Sequence, residues 1–338
     1  MTSPQKTRLL IALLAAIAVI AGAAYLYRAR RAASPATVAL APNILSLLPP
    51  HALAIAYVDA AALRGLQNSP LAAILGLTQA GPQPDRDYQD FVRDTGFDYT
   101  RDLDKAAIAL WPAISSSGDI GENRVVAIAD GRFDESKIKA YALRTGRVVT
   151  HNARSIYEVP GSPPVSFEFL SSTRIALAGG PGSDSFLPVS TSSPLDPAMQ
   201  ARINRVAGAP IFAVARTDNL PPEFYESLRS SPQFQSLARS VQGLALAARP
   251  DHDLIHLTLD AECNSMKNTI ELVTLLDSLR IFGPVALADP KTRQQMTPAQ
   301  ISLLETLVNK TTISREDRVV RLSLDLTPAM LGATNSNP

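Results

Sequence analysis

The sequence predicts an α+β protein: an N-terminal transmembrane helix followed by two tandem ferredoxin-like (βαββαβ) units with antiparallel sheets. Three observations predict it. The run Leu9–Tyr27, LLIALLAAIAVIAGAAYLY, carries no charge. The segment Ala52–Leu75 has a counterpart in Ala209–Leu237. After each of these, strand-like and helix-like stretches recur in the same order.

The apolar run comes first. At about 1.5 Å per residue it spans roughly 29 Å, close to a hydrocarbon core of about 30 Å. Arg28, Arg30 and Arg31 follow it almost at once, the pattern of an uncleaved anchor. Ala21, Gly22 and Ala23 leave a cleaved signal peptide as the alternative. Lys6 and Arg8 nearly balance the three arginines, so orientation rests on the short N-terminal tail, which favours N-in with the rest of the chain outside the cytoplasm.

In the first half, an apolar strand ends at Asp59, and Ser69-Pro70 opens a helix. Its counterpart ends at Asp218, with Ser231-Pro232 as the helix start. Proline suits the first helical position because its missing N–H would be unpaired there anyway. Ala106–Pro112 then matches Leu244–Pro250, each a short strand halted by proline. The strand from Arg124 leads to a helix capped by Asp134, and the strand from Asp253 to one capped by Asn264 or Ser265. Ile270, Val273 and Leu276 mark the expected buried stripe of that second helix.

The first half closes with a hairpin over Arg147–Val159 and a strand pair, Val165–Phe169 and Arg174–Ala178. Asp196-Pro197 starts a helix running to about Val206. An insertion begins at Pro284 and includes a helix started by Thr297-Pro298, with Ile301, Leu304 and Val308 on one face. The last strand is Arg318–Leu326.

These elements divide the chain into an anchor with basic flanks over 1–31, a linker over 32–43, a first unit over 44–195, a second unit over 196–331 and a disordered tail over 332–338. In the second unit Ile255, Leu257 and Leu259 alternate with His256, Thr258 and Asp260, and Val320, Leu322 and Leu324 with Arg321, Ser323 and Asp325. One sheet face is thus apolar and takes the helices, while the polar face is solvated or meets a partner.

Leu48-Pro49, the strand to Asp59, and the element Gly96, Asp98, Asp102, Leu103 ahead of Ala106 are similar to a family of bacterial membrane-anchored proteins classed as a domain of unknown function. The resemblance covers most of the region after the apolar run, although the second half lacks the Gly-x-Asp-x-x-x-Asp-Leu element. It implies an architecture and a surface location and supplies no activity.

Chemical candidates are sparse. His252 and His256 have i, i+4 spacing, but along a strand that separates them by about 13 Å, too far for one metal. His51 and His151 have no partner in their local sequence. Cys263, the single cysteine, precedes a helix cap that would lower its pKa, yet a small buried hydrophobe is its ordinary role. Asp85, Asp87, Asp90, Asp94, Asp98, Asp102 and Asp104 are interleaved with Arg86, Arg93, Arg101 and Lys105, which fits a solvated, ion-paired helix better than a calcium loop. Gly179, Gly180, Pro181 and Gly182 read as a turn, because no Gly-Lys-Ser/Thr or Gly-x-Ser-x-Gly follows.

No residue is assigned to catalysis, to a cofactor or to a metal. A formal charge of +1 with scattered basic residues gives no reason to expect nucleic acid. The partners expected are the membrane, through Leu9–Tyr27, and a protein on the polar sheet face. The function expected is that of a non-enzymatic, membrane-anchored protein presenting a protein- or ligand-contact surface. The alternative is a hydrolase or ligand-binding enzyme drawing Asp59, Asp218, a histidine or Cys263 into a cleft between the halves.

Overall fold

The computed structural model describes residues 42–63, 86–111, 124–151, 154–160, 164–180, 187, 195–217, 239–251, 254–288, 301, 305–306 and 308–327. Two compact units emerge. One, the N-unit, contains 33–65 and 82–201; the described part of the other, the C-unit, lies within 202–338.

In the N-unit, α1 (Pro42–Leu45) precedes β1 (Ala54–Asp59) and α2 (Ala60–Leu63). After them come α3 (Arg86–Thr95), α4 (Tyr99–Asp102), β2 (Leu103–Trp111), β3 (Arg124–Gly131), α5 (Glu135–Thr145), β4 (Arg147–His151), β5 (Arg154–Val159), β6 (Val165–Ser171) and β7 (Arg174–Gly179). Helix α6 (Pro197–Val206) leads into β8 (Ile211–Arg216), β9 (Val241–Asp251), β10 (Leu254–Cys263), α7 (Met266–Ala288), β11 (Thr312–Glu316) and β12 (Val319–Leu326).

The strands of the N-unit form an antiparallel sheet ordered β1-β2-β3-β7-β6-β5-β4, and those of the C-unit one ordered β11-β12-β10-β9-β8. This corrects the expectation of two ferredoxin-like units. Such a unit needs its first two strands kept apart by a third strand inserted between them, yet β1 pairs directly with β2, from Ala54 opposite Leu110 to Asp59 opposite Lys105. The helices between them close a long antiparallel connection rather than a crossover. What recurs is a different pattern. In each unit three consecutive strands pair as a meander, the chain leaves through a helix, and a final hairpin returns with its last strand beside the third: β1-β2-β3-β7-β6 in one and β8-β9-β10-β12-β11 in the other. The β4–β5 hairpin extends the N-unit beyond β6.

Among the described residues no helix is long and apolar enough to cross a membrane. The longest, α7, carries Lys267, Glu271, Asp277 and Arg280 along its length. The single-pass membrane placement, with its N-in orientation and extracytoplasmic domain, is therefore unsupported and is withdrawn. The run Leu9–Tyr27 on which it rested lies outside the described residues, as do Ser69-Pro70, Ser231-Pro232 and Thr297-Pro298.

The local start signals do their work. Asp134 caps α5 by accepting from the Lys137 N–H at 3.1 Å. Asp196 accepts from the Ala198 N–H at 2.8 Å, with Pro197 the first residue of α6. Ser265 rather than Asn264 caps α7, taking the Asn268 N–H at 3.2 Å. The stripe expected on α7 is shifted: Thr269 is buried, while Ile270 is 47% exposed. The helix also continues through Pro284, where the insertion was expected to begin, at the cost of the hydrogen bond to the Arg280 carbonyl.

Gly96, Asp98, Asp102 and Leu103 form a turn between α3 and β2. Gly96 takes the left-handed conformation (φ +72°) that ends α3, its N–H bonding the Val92 carbonyl at 2.8 Å. Asp98 caps α4 through the Thr100 N–H, and Asp102 accepts from the Asp98 N–H at 3.0 Å and from Arg101 at 2.9 and 2.7 Å. Each carboxylate is thus used on backbone or arginine.

Both faces of the N-unit sheet are buried. On one, Tyr157, Phe167, Ile175 and Ala129 pack with Ile138 and Ala142 of α5. On the other, Ile55, Tyr57, Ala107, Ala109, Val126, Ile128, Ile156, Ala176 and Ala178 are at most 4% exposed. The C-unit differs. Its apolar row includes the buried Ile255, Val320 and Leu324, and α7 packs against β10, β11 and β12. Its opposite face carries the charges.

Candidate functional site

That polar face is set by register. Strand alternation puts Arg249, Ala247, Ala245 and Gly243 of β9 on the same side as His256, Thr258, Asp260 and Glu262 of β10 and Asp325, Ser323 and Arg321 of β12. Arg249 is opposite His256, which is opposite Asp325; Thr258 is opposite Ser323; Asp260 is opposite Arg321.

Helix α6 closes one end of the face. Its Met199, Ile203 and Val206 are buried at i, i+4 and i+7, and its two arginines turn onto the strands. Arg202, 4% exposed, reaches Glu262 at 3.2 Å and Arg205 reaches the same carboxylate oxygen at 2.8 Å. Gly243 makes room for this, because a Cβ there would stand 2.0 Å from Arg202 Nε. Burial pushes the Glu262 carboxyl up, but hydrogen bonds and charge from Arg205 and Arg202 outweigh it and hold the group below its ordinary value.

Beside this contact lies a second. Arg321 donates from Nε and Nη2 to the two oxygens of Asp260, each at 2.7 Å, and Asp260 is 2% exposed. Such a planar two-bond fork is the strongest pairing a carboxylate makes with a side chain. At the far end His256 pairs with Asp325, both well exposed. Arg249, half-buried, donates to the Ala207 carbonyl just past the end of α6 at 3.3 Å. Burial, reinforced by the charge of Arg321, pushes its pKa down.

The structure disperses the sequence candidates. Among the described residues no group of three or more His, Cys, Asp or Glu is placed to hold a metal. His252 and Asp218 lie outside the described residues, and His51 is an exposed turn residue. His151 lies in β4. Asp59 accepts from the Ala62 N–H at 2.9 Å and pairs with Lys105 at 3.6 Å. Cys263 has no exposed surface, and burial raises its thiol pKa, the opposite of an activated nucleophile. In the acidic run, Asp85 lies outside the described residues, while Asp90 and Asp94 pair with Arg93 at 2.6 and 3.1 Å, as a solvated helix would. The glycine turn after β7 keeps Gly180 at φ +112°, and Gly182 falls outside the described residues.

Sequence reasoning missed Arg202, Arg205 and Arg249. The arginines of α6 stand three apart beside an apolar i, i+4 stripe, which marks them as flanking a buried face. Arg249 was legible only as the counterpart of Trp111 in the matched strands.

In the N-unit a small open cleft of about 190 Å³ is lined by Glu135, Lys139, Arg154, Ser155, Tyr157, Glu168 and Phe169. Its charges pair across it, Lys139 with Glu135 and Arg154 with Glu168 at 3.4 Å. Lys139 also sits over the rings of Tyr157 and Phe169 at 5.8 and 5.6 Å.

The chain matches no protein-family model and no curated protein. Solved structures of TP0453 are similar to it: crystal form I at a TM-score of 0.44 and 11% identity, form III at 0.47 and 10%, form IV at 0.46 and 11%. The alignments cover 86 to 88% of this chain and 96 to 98% of those. At these values the likeness carries no argument about function.

Proposed function

We propose that this chain is a non-enzymatic protein that presents a protein- or ligand-contact surface, and that the surface is the polar face of the C-unit. The observation that supports the proposal is that α6 covers this face at Asp260 and Glu262 while leaving His256 and Asp325 open beside it. The result is a charged shelf with one wall. Its Thr258 and Ser323 floor is half-buried and offers hydroxyls in both acceptor and donor roles.

An enzymatic role would require an acid, base or nucleophile held free for substrate. The described carboxylates nearest the shelf, Asp260, Glu262 and Asp325, are engaged by Arg321, by Arg202 and Arg205, and by His256. Photocrosslinking in cells from a benzophenone side chain at Ser323, with exposed Leu143 of the N-unit as control, tests the proposal. The expected result is a reproducible adduct from Ser323, with a protein or a small molecule, and none from Leu143. No adduct from Ser323, or equal adducts from both, overturns it.

A further inference from the structure

Helix α7 is apolar on two sides. On its inner side Thr269 is buried and Leu272, Val273 and Leu276 are half-buried where the helix packs on β10, β11 and β12, and a Cβ at Gly283 would stand 3.1 Å from a Val308 methyl. At 3.6 residues per turn, Ile270, Thr274, Ser278, Ile281 and Val285 fall on the opposite side, within about 80° of one another. Ile281, Phe282 and Val285 are 62%, 66% and 71% exposed, and Ile270 also faces solvent. A contiguous exposed apolar patch of this kind marks a contact surface.

The two hydroxyl residues in the stripe turn their protons back onto the helix. Thr274 Oγ1 donates to the Ile270 carbonyl at 2.9 Å and Ser278 Oγ to the Thr274 carbonyl at 2.7 Å. Both side chains are short. The stripe is therefore low in its middle and high toward its ends, with Ile270 on one side and Ile281 and Val285 on the other.

Such a profile fits a reversed copy of itself. A two-fold axis passing between residues 277 and 278 sets two α7 helices antiparallel, with each Thr274 opposite Ile281 of the second copy and each Ile270 opposite Val285. The contact row from Ile270 to Val285 is roughly 22 Å long. The charges are self-complementary too. Asp277 pairs with Arg280 at 3.3 Å on one flank of the stripe. A two-fold axis brings like flanks together, so each Asp277 carboxylate lies within one helical turn of both Arg280 guanidinium groups, and the four charges cancel. Lys267 and Glu271, 3.8 Å apart, stay at the ends as a polar rim. A lipid surface offers no such match, since it would have to take the Asp277 carboxylate along with Ile281.

We infer that the outward face of α7 is a dimer interface: two copies of this chain pair through antiparallel α7 helices about a two-fold axis between Asp277 and Ser278. The helix lies on the sheet face opposite the polar one, so the polar contact surface stays open in the dimer, and loss of dimerisation leaves the Ser323 adduct unaffected.

Sedimentation equilibrium of the full-length protein over a range of concentrations tests it, and a monomer–dimer equilibrium is expected. Ile281→Asp, at an exposed position that leaves the fold intact, is expected to weaken dimerisation by about tenfold or more. Asp277→Arg is expected to weaken it several-fold, and Asp277→Arg combined with Arg280→Asp to recover most of that loss. Oxidation reads the register. Ser278→Cys, beside the axis, is expected to form a disulfide between copies, and Lys267→Cys, whose two copies stand roughly 30 Å apart, to form none. The native Cys263 is buried and does not compete. A monomer at every concentration, a dimer that survives Ile281→Asp, or crosslinking by Lys267→Cys where Ser278→Cys gives none, overturns the inference. A monomer whose binding to phosphatidylcholine vesicles is abolished by Ile281→Asp assigns the face to lipid and overturns it as well.

Discussion

In the N-unit Arg174 of β7 forks onto Asp130 of β3 at 2.6 and 2.8 Å, and in the C-unit Arg321 of β12 forks onto Asp260 of β10 at 2.7 Å for each bond. The two pairs occupy matching places, each joining the third strand of a meander to the last strand of the closing hairpin. Their surroundings differ. Asp130 and Arg174 are each about a quarter exposed, 24% and 22%, and they extend a charge ladder that runs through Lys105 to Asp59. In the C-unit the same row reads Val214, Ala245, Asp260, Arg321. There the additional charge comes from α6, and Asp260 is nearly sealed. A strand ladder alternates sign and neutralises itself. A helix laid across a sheet brings whatever charge its own face carries, and α6 brings two arginines.

Removing one partner from each pair should separate the two settings most widely. Asp260→Ala leaves Arg321 and Arg205 facing each other without their shared carboxylate and is expected to cost about 2 kcal/mol, below the range for a fully buried pair because the Arg321 side chain is 41% exposed. Asp130→Ala is expected to cost about 1 kcal/mol, since both groups retain access to water. Urea denaturation of the two variants checks this. Equal losses would mean that the roof of α6 does not seal Asp260.

The roof is tested through its glycine. Gly243→Ala places a Cβ 2.0 Å from Arg202 Nε and 2.3 Å from its Cζ, so the guanidinium must move off Glu262. A loss of about 2 kcal/mol is expected, as for overpacking a closed contact. The same contact has a pH signature. Because the folded Glu262 carboxyl sits below its ordinary 4.5, its contribution is fully present above that value and is lost as pH falls through the lowered folded pKa. Glu262→Gln should therefore flatten part of the acid limb of a stability–pH curve and leave the slope above pH 4.5 unchanged.

The smallest effects compare the helix caps. Ser265→Ala at α7 is expected to cost about 1 kcal/mol at every pH, since a hydroxyl does not titrate. At α5 the cap is Asp134, whose carboxyl is pulled from 3.8 to about 2, with the Ser136 hydroxyl as the leading cause and the Lys137 N–H next. Its support is full above pH 3.8 and fades as pH falls through about 2. Amide exchange in the first turn of each helix, measured down the acid range, distinguishes the two.

These particulars show how much the sequence carried. Asp134, Ser265 and Asp196-Pro197 were legible because a cap is decided within four residues of chain. The alternation of Ile255 to Asp260 and of Val320 to Asp325 was legible because a strand sorts its faces with period two. Pairing was not, since β1 meets β2 across more than forty residues, the described part of which contains three helices, and helix content there suggested a crossover. The proline at 284 was given more weight than one lost hydrogen bond carries in a long helix. The gathering of the arginines was invisible for a related reason. Arg202, Arg249 and Arg321 are scattered through the sequence, and only the register of three strands and the seating of α6 gather them.

Side-chain NMR of the arginine Nε–H groups, read as their exchange with solvent, tests the contrast between a helix-roofed sheet face and an open strand ladder most directly. Slower exchange at Arg202, whose side chain is 5% exposed beneath α6, than at Arg174, 22% exposed on the N-unit ladder, is the result predicted. Equal exchange at Arg202 and Arg174, or faster exchange at Arg202, would contradict it.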